Sequence, residues 1–353
     1  MSEPTANEKP SPVVGPPSSV PRRRSPVDSS RAPILLDVRN LSVDFLVPEQ
    51  PPAHAVADVS FTLREGEVMG LVGESGCGKT TLMLSLMRLL PANGRIVGGT
   101  VSFMGSDLLS LSERQMADVR WKNVAMIFQG AMNALNPVHT VGRQIAEAIR
   151  LHNLIDDPGV LNRRVAELLD LVGIGPERQH QYPHQYSGGM RQRAMIAMAL
   201  ACNPQIVIAD EPTTALDVMI QAQILELLGK LRQKLGLSII FVTHDLGVVA
   251  EMCDTVLVMY GGVTAEYAPV DTIFNHPQHP YTQELLRAFP DLSQPHNQLV
   301  SIPGYPPRQN ALPPGCRFAP RCPAVFDRCH VEQPALARPS PGHYATCHLV
   351  ETP

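Results

Sequence analysis

Gly73-Glu74-Ser75-Gly76-Cys77-Gly78-Lys79-Thr80 decides how this chain folds. The segment fits G-x4-G-K-[ST]. An apolar run, Glu67–Val72, leads into it, and residues with helical periodicity, Thr80–Leu90, follow as far as Pro91. Strand, glycine-rich turn and helix in that order make a phosphate loop. The glycines allow a tight turn whose backbone N–H groups point inward at an anion, at a helix N-terminus that favours one. The spacing assigns Lys79 to the β- and γ-phosphates and the Thr80 hydroxyl to Mg²⁺. Cys77, inside the loop, reads as a small filler without chemistry of its own.

Working outward, Ile206-Val207-Ile208-Ala209-Asp210-Glu211 is an apolar strand ending in two acids. In an open α/β sheet the carboxyl ends of parallel strands face the ligand crevice. That puts Asp210 in reach of Mg²⁺ and Glu211 in position to polarise an attacking water. The next apolar run, 238–243, ends at His244, placed to bond a γ-phosphate; taken alone, it reads better as a structural histidine. Short strands are expected at 34–38, 41–45, 56–63, 96–104, 123–128 and 255–260, with helices at 218–235 and between 140 and about 202. Strands alternating with helices predict an α/β fold around a parallel sheet covered on both faces. The helical block reads as an inserted subdomain.

Between the two phosphate motifs lies Tyr186-Ser187-Gly188-Gly189-Met190-Arg191-Gln192-Arg193. This resembles the LSGGQ signature of ABC-type ATPases. The resemblance continues residue by residue. Gln129 resembles the glutamine that contacts Mg²⁺ or water and couples to the membrane partner. Asp217, after Ala215-Leu216, resembles the D-loop aspartate that crosses a dimer interface. His244 resembles the switch histidine. Phe45 is the candidate to stack on adenine, with a core strand residue as the equal alternative. The resemblance implies an ABC-type P-loop ATPase cassette with a mixed β-sheet core and a helical subdomain. It assigns Glu211, His244, Gln129 and Lys79 to catalysis. Nucleotide would be held by Gly73 to Thr80, Thr81 and Phe45, and across the pair by Ser187, Gly188, Gly189 and Asp217; Mg²⁺ would be held by Thr80, Gln129 and Asp210. Two departures stand out: Gly130 replaces an acid common after the glutamine, and Tyr186 replaces the leading Leu or Phe of the signature.

Proline marks the edges of this unit. Of 34 prolines, 11 precede residue 54, 7 lie between 54 and 268, and 16 follow. Such density excludes long regular elements, so residues 269–353 are expected to be an irregular Cys/Pro-rich extension. Residues 1–33, Pro/Ser-rich with Arg22, Arg23 and Arg24, read as a disordered segment. The cassette then spans 34–268, with its helical subdomain at about 130–202. Within the extension, His279-Pro280-Tyr281-Thr282-Gln283-Glu284-Leu285-Leu286 and Pro314-Gly315-Cys316-Arg317-Phe318-Ala319-Pro320-Arg321-Cys322 resemble the C-terminal region of dipeptide/oligopeptide importers, a subfamily that includes nickel transporters.

Four of seven cysteines fall here, as C-x5-C-x6-C-x17-C: Cys316, Cys322, Cys329 and Cys347. Four thiols in a cytosolic tail suggest a metal, zinc or an iron–sulfur cluster; the resemblance favours [4Fe-4S] with Zn²⁺ as the alternative, in a structural role. His330, His343 and His348 read as surface histidines. Cys202 and Cys253, in apolar contexts, read as inert core thiols.

A net charge of −4 and a pI near 6.3 give no basic excess for nucleic acid. There is no run of about 18 apolar residues to span a membrane, and no signal-peptide stretch. The resemblance implies a peptide-translocating ATP hydrolase, peripheral on the cytoplasmic face of a bacterial inner membrane. Its partners would be two permease subunits, a second ABC ATPase subunit (a heterodimer favoured over a homodimer) and, indirectly, a solute-binding protein. The rival readings are an ABC ATPase of DNA repair or translation, argued against by the single cassette without a coiled-coil insertion, and a metal-sensing regulator, argued against by the intact Glu211 and His244.

Overall fold

The computed structural model describes residues 32–130, 134–214, 216–288 and 301–350; nearly all of the expected disordered segment 1–33 lies outside the described residues. Two sheets share the core. The smaller is antiparallel, in the order β2 (Ala53–Arg64), β1 (Ile34–Phe45), β4 (Gly94–Phe103), β5 (Ser106–Asp107). The two strands expected at 34–38 and 41–45 are one strand. Its pairing with β2 and β4 slips between Val38 and Ser42, where Asn40 takes φ +49. An asparagine tolerates that conformation. The bulge shifts the parity, so that Leu36 and Val38 before it and Leu41 and Val43 after it all face the core.

The larger sheet runs β11 (Ala337–Ser340), β12 (His343–Ala345), β10 (Val263–Pro269), β9 (Thr255–Tyr260), β3 (Val68–Val72), β8 (Ser238–Val242), β7 (Ile206–Asp210), β6 (Val124–Ile127). Its centre is parallel: β9, β3, β8, β7 and β6. Every residue of β3, β7 and β8 is buried, as a sheet covered on both faces demands. Met69 and Leu71 point to the face shared with the antiparallel sheet and with α1 (Lys79–Leu86). Val68 and Val72 point to the opposite, helical face. There α3 (Val141–Leu151), α4 (Pro158–Leu171) and α5 (Gly188–Ala199) pack together, after a short α2 (Glu113–Val119) that precedes β6. Thr140 and Asp157 cap α3 and α4, with Pro158 at the first turn of α4. The helix α6 (Val218–Leu235) connects β7 to β8, and α7 (Leu246–Met252) connects β8 to β9.

The expectation of an irregular tail needs correction. After β10 (Val263–Pro269) and α8 (Val270–Asn275) come α9 (Pro280–Arg287), α10 (Asp327–Val331), β11 (Ala337–Ser340) and β12 (His343–Ala345). β12 pairs antiparallel with β10, and so extends the main sheet. The proline of β11, Pro339, sits on the outermost strand, where a missing N–H costs little. The surface reading of His343 also fails. Its ring is buried and pairs with the fully buried Glu266 of β10 at 2.7 Å. The other Glu266 contacts are the backbone N–H groups of Gln278 and His279, at 2.8 and 3.0 Å. A partner 77 residues away leaves no local trace in sequence. His330 is exposed and His348 half-buried.

A candidate nucleotide site at the strand ends

The phosphate loop forms as its residues dictate. Gly73 has φ +148, and a Cβ there would lie 2.2 Å from the Met259 carbonyl oxygen; Gly78 has φ +102, and a Cβ would lie 2.3 Å from that of Ala55. Glycine alone fits both the dihedral and the space. The buried Lys79 folds its ammonium over the loop, donating to the carbonyls of Gly73 (2.6 Å) and Glu74 (3.1 Å). Cys77 is buried beneath, and burial pushes its thiol pKa up. Ser75 and Gly76 are exposed at the loop's tip, Thr80 is exposed, and Thr81 is half-buried on the first turn of α1.

The ends of β6, β7 and β8 meet this loop. Thr80 Oγ1 donates to Asp210 Oδ2 at 3.2 Å, tying the loop to β7. Asp210 is buried, and burial raises its pKa despite the bond from Thr80. A buried carboxylate beside a hydroxyl is a hard oxygen donor set, of the kind that suits Mg²⁺. Next to it, Glu211 gathers three side chains. Gln129 Nε2 donates to Oε2 at 2.7 Å, Thr214 Oγ1 donates to the same oxygen at 2.8 Å, and His244 Nδ1 lies 3.4 Å from Oε1. The Glu211 backbone is left-handed, φ +44, and its N–H bonds the Val242 carbonyl of the neighbouring strand. Such a conformation in a non-glycine residue costs roughly 1–3 kcal/mol and clusters at functional sites. Lys79, Thr80, Asp210, Glu211, Gln129 and His244 are thus brought together. Thr214 was missed; its offset of three from Glu211 was the available signal.

The signature residues form a second cluster. Ser187 caps α5 by accepting from the Met190 N–H at 3.3 Å, and Asp217 caps α6 by accepting from that of Ile220 at 2.9 Å. Gly189 packs so closely on Ile220 that a Cβ would come within 2.8 Å of its Cγ2. Gly188, Gly189, Ser187 and Asp217 therefore present two adjoining helix starts. Tyr186, the unusual leading residue, fills a core position; its hydroxyl donates to the Arg178 carbonyl at 3.0 Å and burial raises its pKa to about 12. Gly130 lies at φ +79 in open space, a conformation that an acidic residue would adopt only with strain. Phe45 ends β1 half-buried, across from Ala53 and against Gly94.

With this geometry in place, the comparisons with known proteins are specific. Residues 56–214 match the sequence model of the family described as "ABC transporter", and residues 265–329 match "Oligopeptide/dipeptide transporter, C-terminal region". A probable peptide ABC transporter ATP-binding protein of Sinorhizobium fredii is 50% identical over 321 residues, 90% of this chain and 95% of the relative. The chain belongs to the ABC transporter family of ATP-binding proteins. The dipeptide transport ATP-binding protein DppD of Escherichia coli is 47% identical across 89% of this chain and 96% of its own length; for the oligopeptide transport ATP-binding protein OppD of Salmonella typhimurium the figures are 47%, 90% and 94%. Among solved structures, the dimeric ATP-binding cassette MJ0796 bound to ADP and Pi superposes with a TM-score of 0.60 at 26% identity, covering 67% of this chain and 98% of that one. CbiO1 of Clostridium perfringens, part of an ABC transporter complex, gives 0.60 and 26%, covering 69% and 91%.

This ABC protein's four-cysteine segment answers only part of its expectation. The charges of Cys316, Cys322 and Cys329 influence one another in part, and all three act on Cys347. Yet among the described residues no group of three or more His, Cys, Asp or Glu side chains is arranged to hold a metal ion. Burial is the main cause that raises the pKa of Cys316 and Cys322 and takes Cys347 to about 11. The donor chemistry suits a thiolate-bound metal; the arrangement does not form its site. Among the described residues no helix is long and apolar enough to cross a membrane.

Proposed function

We propose that the chain is the ATP-hydrolysing subunit of an importer for di- and oligopeptides, and that two cassettes close on ATP to drive it. The observation that carries the chemistry is the carboxylate of Glu211, held by Gln129, Thr214 and His244 at the strand end beside the phosphate loop. The cargo class is supported by the identity to DppD and OppD along almost the whole chain, the C-terminal region included.

Lys79, now donating to loop carbonyls, would turn to the β- and γ-phosphates. Thr80, Asp210 and Gln129 would hold Mg²⁺, which when bound neutralises developing phosphoryl charge. Glu211 would orient and deprotonate the attacking water, and His244 would bond the γ-phosphate. Phe45 would stack on adenine; its pairing with Ala53, two residues before the Ala55 whose carbonyl covers Gly78, supports this. Ser187, Gly188, Gly189 and Asp217 would face the partner cassette's nucleotide, as paired helix starts are suited to do. The dimeric arrangement of MJ0796 supports a closed pair. The proposed organisation is a cassette at 34–268, with a helical subdomain at about 130–202, and an extension at 269–353. The assembly would contain two permeases and a second, different cassette, served by a solute-binding protein, at the cytoplasmic face of the inner membrane. Isolation of the native membrane complex, with identification of its subunits and of bound peptide, tests this.

For the extension, the spacing of four cysteines and the match of 265–329 to the oligopeptide/dipeptide transporter C-terminal region support a structural metal on Cys316, Cys322, Cys329 and Cys347, a [4Fe-4S] cluster or alternatively Zn²⁺. The thiols would have to ionise and draw in around it. Anaerobic purification with iron, sulfide and zinc assays tests the idea: iron with sulfide supports the cluster, zinc supports the alternative, and metal-free protein removes both.

A further inference from the structure

An acidic residue at the second position of a phosphate loop is a liability. Glu74 follows Gly73 directly, so its charge stands beside the place where a polyphosphate would lie. The structure handles it from outside the cassette. Arg321, in the C-terminal extension, forks onto both carboxylate oxygens: Nη1 donates to Oε2 at 2.6 Å and Nη2 to Oε1 at 2.9 Å. The Arg321 side chain is only 4% exposed and that of Glu74 26%. The guanidinium is itself fixed by the carbonyls of Pro303 (2.7 Å) and Ile302 (3.2 Å), by the Tyr260 hydroxyl (3.2 Å), and by the Tyr260 ring beneath it.

Two more contacts grip the loop's backbone. The Glu74 N–H donates to the hydroxyl of Tyr281, a fully buried residue of α9, at 3.0 Å. Gln309 Nε2 donates to the Gly76 carbonyl at 2.7 Å, while the Gln309 carbonyl accepts from the His54 N–H at 3.0 Å. Nearby, Arg317 bonds the Gly261 carbonyl. A glycine-rich loop loses much freedom when it orders around an anion. Holding it in place beforehand removes that cost from binding. A bidentate Arg–carboxylate pair is well suited to fix an orientation.

From these contacts we infer that Arg321 is a positioning residue for the nucleotide: it neutralises Glu74, turns its carboxylate away from the phosphates, and with Tyr281 and Gln309 makes the C-terminal extension an outer wall of the phosphate loop. The inference rests on the ATP reading of that loop. Arg321 does not touch the nucleotide; it acts through Glu74.

The test is calorimetric titration of the full-length chain with MgADP, together with thermal unfolding without nucleotide. Arg321→Ala should weaken MgADP binding on the order of ten-fold, because the uncompensated carboxylate now repels the phosphates. Arg321→Lys, which keeps the charge without the fork, should lose less. Arg321→Ala combined with Glu74→Gln should recover most of the loss, since the repelling charge is gone. Arg328→Ala, which breaks an exposed ion pair to Glu332 in the same extension, should bind as wild type. Unchanged affinity in Arg321→Ala would overturn the inference. So would a loss that Glu74→Gln fails to relieve: with a lower unfolding temperature without nucleotide it is general destabilisation, and without one it does not run through Glu74. If Arg321→Ala does not fold, the comparison of Arg321→Lys with and without Glu74→Gln decides in the same way. Wild-type protein that fails to bind MgADP would instead contradict the ATP reading itself.

Discussion

Gln129 and Glu211 sit at the ends of neighbouring parallel strands and are joined by a 2.7 Å bond from Nε2 to Oε2. Gln129 lies just past β6, where the chain enters the helical block, and Glu211 just past β7, beside the phosphate loop. In the proposed mechanism, a movement of the helical block that shifts Gln129 would also release or recruit the Glu211 carboxylate. One hydrogen bond connects the proposed chemical step to the proposed route of coupling.

Gly78→Ala should abolish tight nucleotide binding. The new Cβ meets the Ala55 carbonyl oxygen at 2.3 Å while the backbone stays at φ +102. Strain of this kind costs about 1–3 kcal/mol before the clash is counted, so MgADP affinity should fall more than about ten-fold. Calorimetric titration measures it.

Asp210→Asn should separate stability from function. The Asp210 carboxyl pKa is raised, chiefly by burial. An acid with a raised native pKa destabilises the folded state at pH values above its unfolded value, so at neutral pH its charge is a cost that a cation relieves. The amide removes that cost. Unfolding temperature without Mg²⁺ should rise by roughly 1–3 °C, while Mg²⁺-dependent hydrolysis is lost. Calorimetry and a phosphate-release assay check the two halves.

Acid should loosen the C-terminal extension. Burial holds His279 down to about 4, against its ordinary value near 6.5. In its neutral form Nδ1 accepts the Tyr281 N–H at 2.9 Å, capping α9, and the ring also bonds the Thr346 backbone. The unfolded chain binds the proton more readily than the native one. Stability is therefore full above about pH 6.5 and declines as pH falls from there toward 4. His279→Asn, which can still cap, should flatten this pH dependence in denaturant melts.

Most of the candidate site was legible because its parts are local. Glycines needed at positive φ, an apolar strand ending in Asp210-Glu211 and a serine opening a helix each announce themselves within a few residues. The central strand 206–210 and the helix 218–235 lie where periodicity predicts them. The helix after the phosphate loop ends earlier than Pro91 suggests, at Leu86, because Arg88 turns left-handed at φ +51. The extension was misread because what orders it is distant. Glu266 meets His343, Glu74 meets Arg321 and β10 meets β12 across 77, 247 and some 80 residues. Proline density reports the lack of long elements and says nothing of such pairings. The cysteine spacing led to a metal site, yet among the described residues the four thiols are not arranged to hold a metal ion.

The most direct test of the account is steady-state ATP hydrolysis by the isolated membrane complex carrying Glu211→Gln, with trapping of nucleotide measured alongside. Loss of a positioned general base lowers turnover by about 10²–10⁴-fold. The account predicts a fall in that range with ATP retained, and cassettes accumulating in the closed pair. Near-normal turnover in this variant would contradict it.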